Sequence, residues 1–533
     1  MNSSISVTVL GGQEEVGLNS TVVEVDNDIV IIDLGNNFED SDFGVSYYLP
    51  NIESLLGKTD RIRGIFITHG HYDHRAALPF LIDKLGFPPV YGSPFTIQLI
   101  KQHLKGFKKV SQTRLIPLQP RQEINLGKIQ VKAVHLTHSI IGTYGYFLKT
   151  IRGNLFHSGD FKFDDTPFRE KATDYQSLRE IGRQGVLVAF IDSTRATSEG
   201  HSQSETEITQ NLEKLIREAP GRIIVSTFAQ MLSRINQIAL IGKKYQRQIF
   251  IKGRTLEKTT QIGKQMGLFD KSLKIRDAKQ MEQFPDREIL LFATGSQGEE
   301  KAALARMLEA KKGLFKVKPT DTIILSSSTI PSNIVTIQKL VDRFADRGCR
   351  VFTDDIIDIH AGGHGHQDEI KKMIQLLKPK FIFPVQGYIS FRHQLGFLAR
   401  SFGYRKNEII LAKNNQPVLI NRQGFKKTSG KTRPPTAVIE NYPIKNGAEI
   451  VFQRKKAALR GLLTVFINPQ TRQLKTSFWG VPEFIKKEIK IALQQEIIAK
   501  RDPQVTKRKI EDLLWEYLDE ELIPAIKVEI SSN

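Results

Sequence analysis

Residues 68–80, THGHYDHRAALPF, place His69, His71, Asp73 and His74 in the spacing H-x-H-x-D-H, directly after the strand-like run GIFIT and before a helical pattern. Imidazole and carboxylate are the side chains that hold zinc or manganese in hydrolases. On an extended turn alternate residues point the same way, so His69 and His71 can share one ion while Asp73 and His74 serve a neighbour. The fold is constrained accordingly: a strand has to end where the ligands begin, and a helix has to follow them.

The surrounding sequence supplies strands in quantity. SISVTVLGG, STVVEV, DIVIIDLG and GIFITHG are short β-branched runs that close on turn residues. From Ala76 to Leu85 the pattern turns helical, with Pro79 in the first turn, where proline is tolerated. KIQVKAVHLTHS, YGYFLKT and NLFHSGD then read as further strands, which suggests layered sheets with helices outside. Near residue 205 the texture changes. ETEITQNLEKLIREA is an amphipathic helix with Leu212, Leu215 and Ile216 on one stripe. GRIIVSTFA, RQIFIKG, EILLFATGSQG and DTIILSSSTIP then alternate with helices, the pattern of an α/β unit on a mostly parallel sheet. This unit reads as an insertion, because strands resume at RVFTDD and KFIFPVQG. The division is therefore 1–204 and 351–420 for the strand-rich domain, 205–350 for the insert, and 421–435 for a polar, basic, proline-ended linker. Residues 436–533 form a small α+β domain, with helices near 480–500 and 505–520 and a final strand, AIKVEI.

Charge narrows the partner. The 533 residues carry a formal net charge of +20. Residues 421–510 hold 20 Lys and Arg against 6 Asp and Glu, so about two-thirds of that charge lies in about one-sixth of the chain. Such a field attracts polyanions, and nucleic acid is the first to consider. The single cysteine, Cys349, excludes an intramolecular disulfide framework and reads as a small, partly buried residue in a reducing compartment. No apolar run approaches the roughly 18 residues that span a bilayer, and MNSSISVTVLGG does not read as a signal peptide. A cytoplasmic protein without a membrane segment is expected.

H-x-H-x-D-H after a strand is the signature of the metallo-β-lactamase fold, and the resemblance to that superfamily continues downstream. HLTHSI supplies His138, similar to the third-motif ligand, and HSGDFKFD supplies Asp160, which in this family bridges both metals. The insert resembles the β-CASP unit of the nucleic-acid branch. IDSTR gives Asp192 at its acidic motif, and HAGGHG gives His364 at the histidine that contacts the scissile phosphate and can act as a general acid. GGQEEVGLNS, STFAQMLSRINQI, KGRTL, FATGSQGEEKAALARM and LSSSTIPSN are similar to segments of the ribonuclease J family, from about residue 7 to the C-terminus.

The resemblance implies an α/β architecture: a metallo-β-lactamase αββα sandwich, an inserted β-CASP α/β domain and a small α+β C-terminal domain. It implies cleavage of RNA, both 5′-to-3′ from 5′-monophosphate ends and internally, and assembly as a homodimer or homotetramer through the C-terminal domain. His69, His71, Asp73, His74, His138 and Asp160 would hold two divalent ions, zinc first, roughly 3.5–4 Å apart. Asp73 would also take part in proton transfer, and Asp192 and His364 would complete the catalytic set. Phosphate contact is expected from His364, Ser226, Arg234 and the backbone N–H groups around Gly363 and Gly365, although serine at strand ends is also ordinary turn chemistry.

The chain departs from the family at one ligand. Where ribonuclease J reads PVHGE, with a histidine on the second metal, this chain reads PVQGYISFRH, with Gln386 in its place. HSIIGT also replaces HSIPDS, Tyr72 replaces the usual glutamate, and Gly362 stands where serine is common. Two expectations follow. One is an active nuclease whose looser second site accepts manganese or magnesium. The other is a non-catalytic RNA-binding or scaffolding subunit partnered with an active paralogue. A small-molecule hydrolase leaves both the insert and the charge unexplained.

Overall fold

Two sheets of the strand-rich domain share one apolar interface. The first has eight strands in the order Phe425–Lys427, Val418–Ile420, Ile5–Gly11, Ser20–Val25, Asp28–Ile32, Ile62–Phe66, Val90–Gly92 and Leu115–Pro117. The second has six, ordered Phe381–Val385, Val188–Asp192, Leu155–His157, Thr143–Thr150, Ile129–Leu136 and Glu123–Leu126. Val7, Val23, Ile32 and Phe66 of one sheet and Val131, Tyr146, Phe190 and Phe383 of the other belong to a single buried core. Each such side chain stabilises the fold by about 1.5–3 kcal/mol on leaving water. The opposite face of the second sheet, including Leu136, Phe156 and Ile191, packs on the helices Tyr175–Gln184, Gln367–Leu377 and Ile389–Ser401. Strands buried on both faces read as continuous apolar runs rather than alternations, as in VAFID.

This computed structural model describes residues 4–37, 45–107, 110–299, 302–309, 316–330, 333–429, 434–439, 442–443, 447–467, 474–495 and 524–530, with a few single residues between 507 and 514. It divides into two units, residues 1–37 with 49–433 and residues 38–48 with 434–533. Within the first unit lies the inserted sheet, ordered Ile275–Asp277, Gln248–Lys252, Ile289–Ala293, Ile223–Ser226, Thr322–Leu325 and Arg350–Thr353. All of its pairings are parallel. Cys349 is buried among Leu340, Phe344 and their neighbours, and burial pushes its thiol up to about 11. The chain leaves the second sheet after Asp192 and returns at Phe381–Val385, the parallel neighbour of that strand. Asp192 therefore stands opposite Val385, one residue from Gln386.

Three sequence expectations are corrected. RVFT does not resume the strand-rich domain: Arg350–Thr353 pairs in parallel with Thr322–Leu325 at the edge of the inserted sheet. The linker expected over 421–435 is partly a hairpin. Asn421 Oδ1 accepts the N–H groups of Gln423 and Gly424, and Phe425–Lys427 returns along Val418–Ile420. The helix expected from Ala76 to Leu85 is two single turns, Tyr72–Arg75 and Leu78–Leu81, with Pro79 in the first turn of the latter.

In the second unit, Leu462–Ile467 pairs antiparallel with Leu474–Trp479 and in parallel with the final strand Ala525–Ile530. Leu463, Val465, Ile485, Ile489 and Ile526 form its core, with the helix Glu483–Gln495 supplying the middle pair. A helix over Gly447–Arg460 is also present, unanticipated from sequence. Most of the helix expected near 505–520 lies outside the described residues.

Candidate metal centre

The ligand turn is held from behind by the end of a neighbouring strand. Asp33 follows Asp28–Ile32 in the left-handed region, at φ +62°, and is buried. Its carboxylate accepts the Thr68 N–H at 2.7 Å and the Thr68 hydroxyl at 2.9 Å, and His74 Nδ1 lies 2.8 Å from Oδ2. Beside it, the Leu34 N–H donates to the His74 carbonyl and the Asn19 N–H to the Asp73 carbonyl. Gly35 is required here, since a Cβ would sit 1.6 Å from the Asp73 carbonyl oxygen. Neither Asp33 nor Asn19 was singled out from sequence. The one available signal was an Asp closing the apolar run DIVII.

Six expected ligands meet in front of this support. His71 Nδ1 lies 3.0 Å from His69 Nε2 and 3.2 Å from His138 Nε2. Asp160 Oδ2 stands 3.8 Å from His69 Nε2 and 3.7 Å from His138 Nε2. Its other oxygen is 3.2 Å from His74 Nε2, and His74 Nε2 is 3.4 Å from Asp73 Oδ2. The second nitrogen of each deep histidine is engaged: His69 Nδ1 by the Thr68 hydroxyl at 3.0 Å, His138 Nδ1 by the Gly363 carbonyl at 2.6 Å, and His74 Nδ1 by Asp33. Partners of this kind set the tautomer and turn the free lone pair inward. Gly363 is needed for the approach, because a Cβ would lie 2.4 Å from His138 Cε1.

Protonation agrees with ligation at three of the four histidines. Burial, reinforced by the neighbouring histidines, holds His69 and His138 well below the ordinary histidine value. Burial likewise brings His71 down to about 4, against the pull of Asp73. Neutral imidazole is the form that binds metal. His74 goes the other way: burial opposes its protonation, but Asp160, Asp73 and Asp33 outweigh burial and raise it well above the ordinary value. Asp160 Oδ1 is buried and receives no well-aligned hydrogen bond among the described residues. Converging nitrogen lone pairs with such a carboxylate fit divalent cations.

The remaining expected residues separate. His364 Nδ1 lies 2.7 Å from Asp192 Oδ2, while Nε2 stands 3.8 Å from Asp160 Oδ2 on the open side, with 23% of the side chain exposed. Burial disfavours its charge, but Asp192 and then Asp160 lift it to about 9. Gln386, buried at φ +53°, donates from Nε2 to Asp160 Oδ2 at 2.9 Å. Three expected phosphate contacts are corrected. Arg234 is 0% exposed and pairs through two nitrogens with Glu205, both at 2.9 Å. It also donates to Ser326 Oγ and to the Ile359 carbonyl, so it braces the loop before His364 from the interior. Ser226 is buried, with its hydroxyl on the Ala293 carbonyl, and the Gly365 N–H donates to the Phe161 carbonyl. Tyr72 lies under the Arg75 guanidinium, 4.7 Å from its ring centroid.

A two-sheet sandwich with an inserted parallel sheet, and a His/Asp cluster at its strand ends, defines a metallo-β-lactamase hydrolase carrying a β-CASP insertion. Comparison with known proteins agrees. The family model for the beta-lactamase superfamily domain matches residues 41–214, and that for the ribonuclease J beta-CASP domain matches 220–344. Ribonuclease J of Helicobacter pylori is 33% identical over 482 residues, covering 89% of this chain and 70% of that protein. Ribonuclease J of Thermus thermophilus is 30% identical, covering 86% and 82%, and ribonuclease J2 of Bacillus subtilis 30%, covering 87% and 84%. The crystal structure of a protein of unknown function from Enterococcus faecalis shares the fold at TM-score 0.53 and 13% identity, covering 78% of this chain and all of that one. The chain belongs to the ribonuclease J family. Among the described residues no helix is long and apolar enough to cross a membrane.

Proposed function

We propose that the chain is a metal-dependent ribonuclease that hydrolyses RNA phosphodiester bonds, 5′-to-3′ from 5′-monophosphate ends and also internally. One observation carries the reading: His69, His71 and His74 of one turn meet His138 and Asp160 from two further loops in overlapping groups, with Asp73 beside His74. His69, His71, His138 and Asp160 would hold one ion, for which zinc suits the imidazoles. Asp73, His74 and Asp160 would hold another, where manganese or magnesium suits the oxygens. Divalent ions at such a site lower the pKa of water and neutralise charge on phosphoryl oxygens.

The chain's own groups supply orientation and proton transfer. Asp73, with 30% of its side chain exposed, accepts the proton of the attacking water. His364, aligned by Asp192, donates a proton from Nε2 to the departing ribose oxygen. The +20 charge draws RNA inward. The protein acts in the cytoplasm as a homodimer or homotetramer.

The test incubates 5′-monophosphorylated and 5′-hydroxyl RNAs of one sequence with Mn²⁺, Mg²⁺ or Zn²⁺. Mononucleotide release favouring the monophosphate, lost in Asp73→Ala, is expected; equal use of both ends would remove the end preference. The Gln386 bond to Asp160 favours a second reading, a non-catalytic RNA-binding subunit partnered with an active paralogue. That reading requires tight RNA binding with no cleavage under any metal.

A further inference from the structure

The two flanks of Asp160 offer a metal ion very different surroundings. On one flank, three imidazole nitrogens lie within 3.0–3.2 Å of a neighbour, and Asp160 Oδ2 stands 3.8 and 3.7 Å from those of His69 and His138. Thr68 and the Gly363 carbonyl hold the outer nitrogens of two of these rings, so the geometry is organised before any ion arrives. On the other flank His74 Nε2 stands 3.2 Å from Asp160 Oδ1 with Asp73 beside it, and the Asn19 amide nitrogen already lies 3.1 Å from His74 Nε2.

Gln386 lines one small cavity with Asn19 and His74, and it donates to Asp160 Oδ2, the oxygen that also faces His69 and His138. An amide N–H has no lone pair to give a cation. Turning the amide over would set its oxygen against the carboxylate oxygen it now bonds, a repulsive contact unless an ion lay between them. The backbone that carries the side chain is fixed. The Gln386 carbonyl accepts the Ser193 hydroxyl at 2.9 Å, and the backbone continues through Gly387, where a Cβ would meet that same hydroxyl oxygen at 2.8 Å. The cavity behind the amide has room for about one water and is lined in part by Asn19, Ser20, His74, His157 and Gln386. Ser20 Oγ is buried there with no hydrogen-bond partner among the described residues.

We propose that the chain binds divalent metal unequally: one ion tightly among His69, His71, His138 and Asp160, and a second weakly beside Asp73 and His74, with Gln386 setting the difference. The gap is at least the roughly 10- to 100-fold that even an outer-shell change costs in metal affinity. The inference rests on the reading of this cluster as the metal centre of a nuclease. A single resident ion is then the ordinary state of the chain, and the second is recruited only at high concentration or together with a phosphate oxygen.

The experiment strips the full-length chain with a chelator, titrates it with Co²⁺ by visible absorption, and counts Zn²⁺ retained after gel filtration. The expected result is a stepwise titration with one ion retained by the wild type and two by Gln386→His, whose thermal midpoint serves as the folding control. Two equal, retained ions in the wild type would overturn the inference, as would a folded Gln386→His that still keeps one. If the variant does not fold, the wild-type titration decides alone. No ion retained by either protein, with no metal-dependent cleavage of RNA, would instead defeat the nuclease reading itself.

Discussion

Arg234–Glu205 and His364–Asp192 are both pairs of a basic side chain with a carboxylate, and both bear on the loop from Ile359 to His364. Arg234 is sealed from solvent and bonds on to Ser326 and the Ile359 carbonyl, whereas His364 keeps one nitrogen on the open side of the metal cluster. A buried ion pair whose every donor is engaged holds backbone in place. A pair with one free nitrogen beside metal ligands can exchange a proton with substrate. On the proposed function, exposure rather than charge decides which pair does chemistry, and mutations should separate the two pairs.

The largest effect is expected from His364→Ala. Cleavage should fall about 10²- to 10⁴-fold, while the thermal midpoint and RNA affinity change little; a variant that lost both would make this pair structural as well. Arg234→Met should do the reverse. Stranding Glu205 in the interior costs about 3–5 kcal/mol, read as a lower denaturation midpoint, with cleavage per folded molecule largely kept. A fall in activity with no loss of stability would restore Arg234 to the substrate path. Asp192→Asn should act on pH dependence. Asp192 helps lift His364 to about 9, so the protonated donor persists through neutral pH and the rate declines as pH rises through that value. Without the carboxylate the decline should move toward the ordinary histidine range near 6.5, and an unmoved profile would show that another group donates. The smallest effect belongs to Gly362→Ala, whose Cβ meets nothing within 4 Å. It should change stability by no more than about 0.5 kcal/mol, while Gly363→Ala next to it should displace His138 and reduce retained zinc.

The sequence made one part of this centre plain because that part is local. His69, His71, Asp73 and His74 fall within six residues on one turn, so their spacing alone carries the chemistry. Asp160, Asp192, His138 and His364 were readable only through their motifs, since the first three follow or end different strands and His364 lies in the loop before the helix Gln367–Leu377. Asp33 and Asn19 were missed for the same reason without a motif to help: they reach Thr68, Asp73 and His74 only because the strands Ser20–Val25, Asp28–Ile32 and Ile62–Phe66 lie side by side. Arg234 and Ser226 were misread because charge and hydroxyl suggested phosphate, whereas their helix and strand are buried nearly throughout. The apolar spacing of Leu232, Ile235 and Ile238 around Arg234 was the sign that this face turns inward. Among the sheets, the parallel insert was legible from alternation, but edge strands were not. RVFT and FKK carry too few apolar residues to announce which sheet they join, and only pairing decides it.

The most direct measurement follows cleavage and binding together on one RNA. The wild type is stripped with a chelator, then supplied with Zn²⁺ or Mn²⁺, and both RNA affinity and phosphodiester hydrolysis are read at each step. Hydrolysis that disappears with the metal and returns with it, at nearly constant affinity, is the predicted result. Tight binding with no hydrolysis under any divalent ion would contradict it, and would leave the His/Asp cluster as the relic of an enzyme in an RNA-binding subunit.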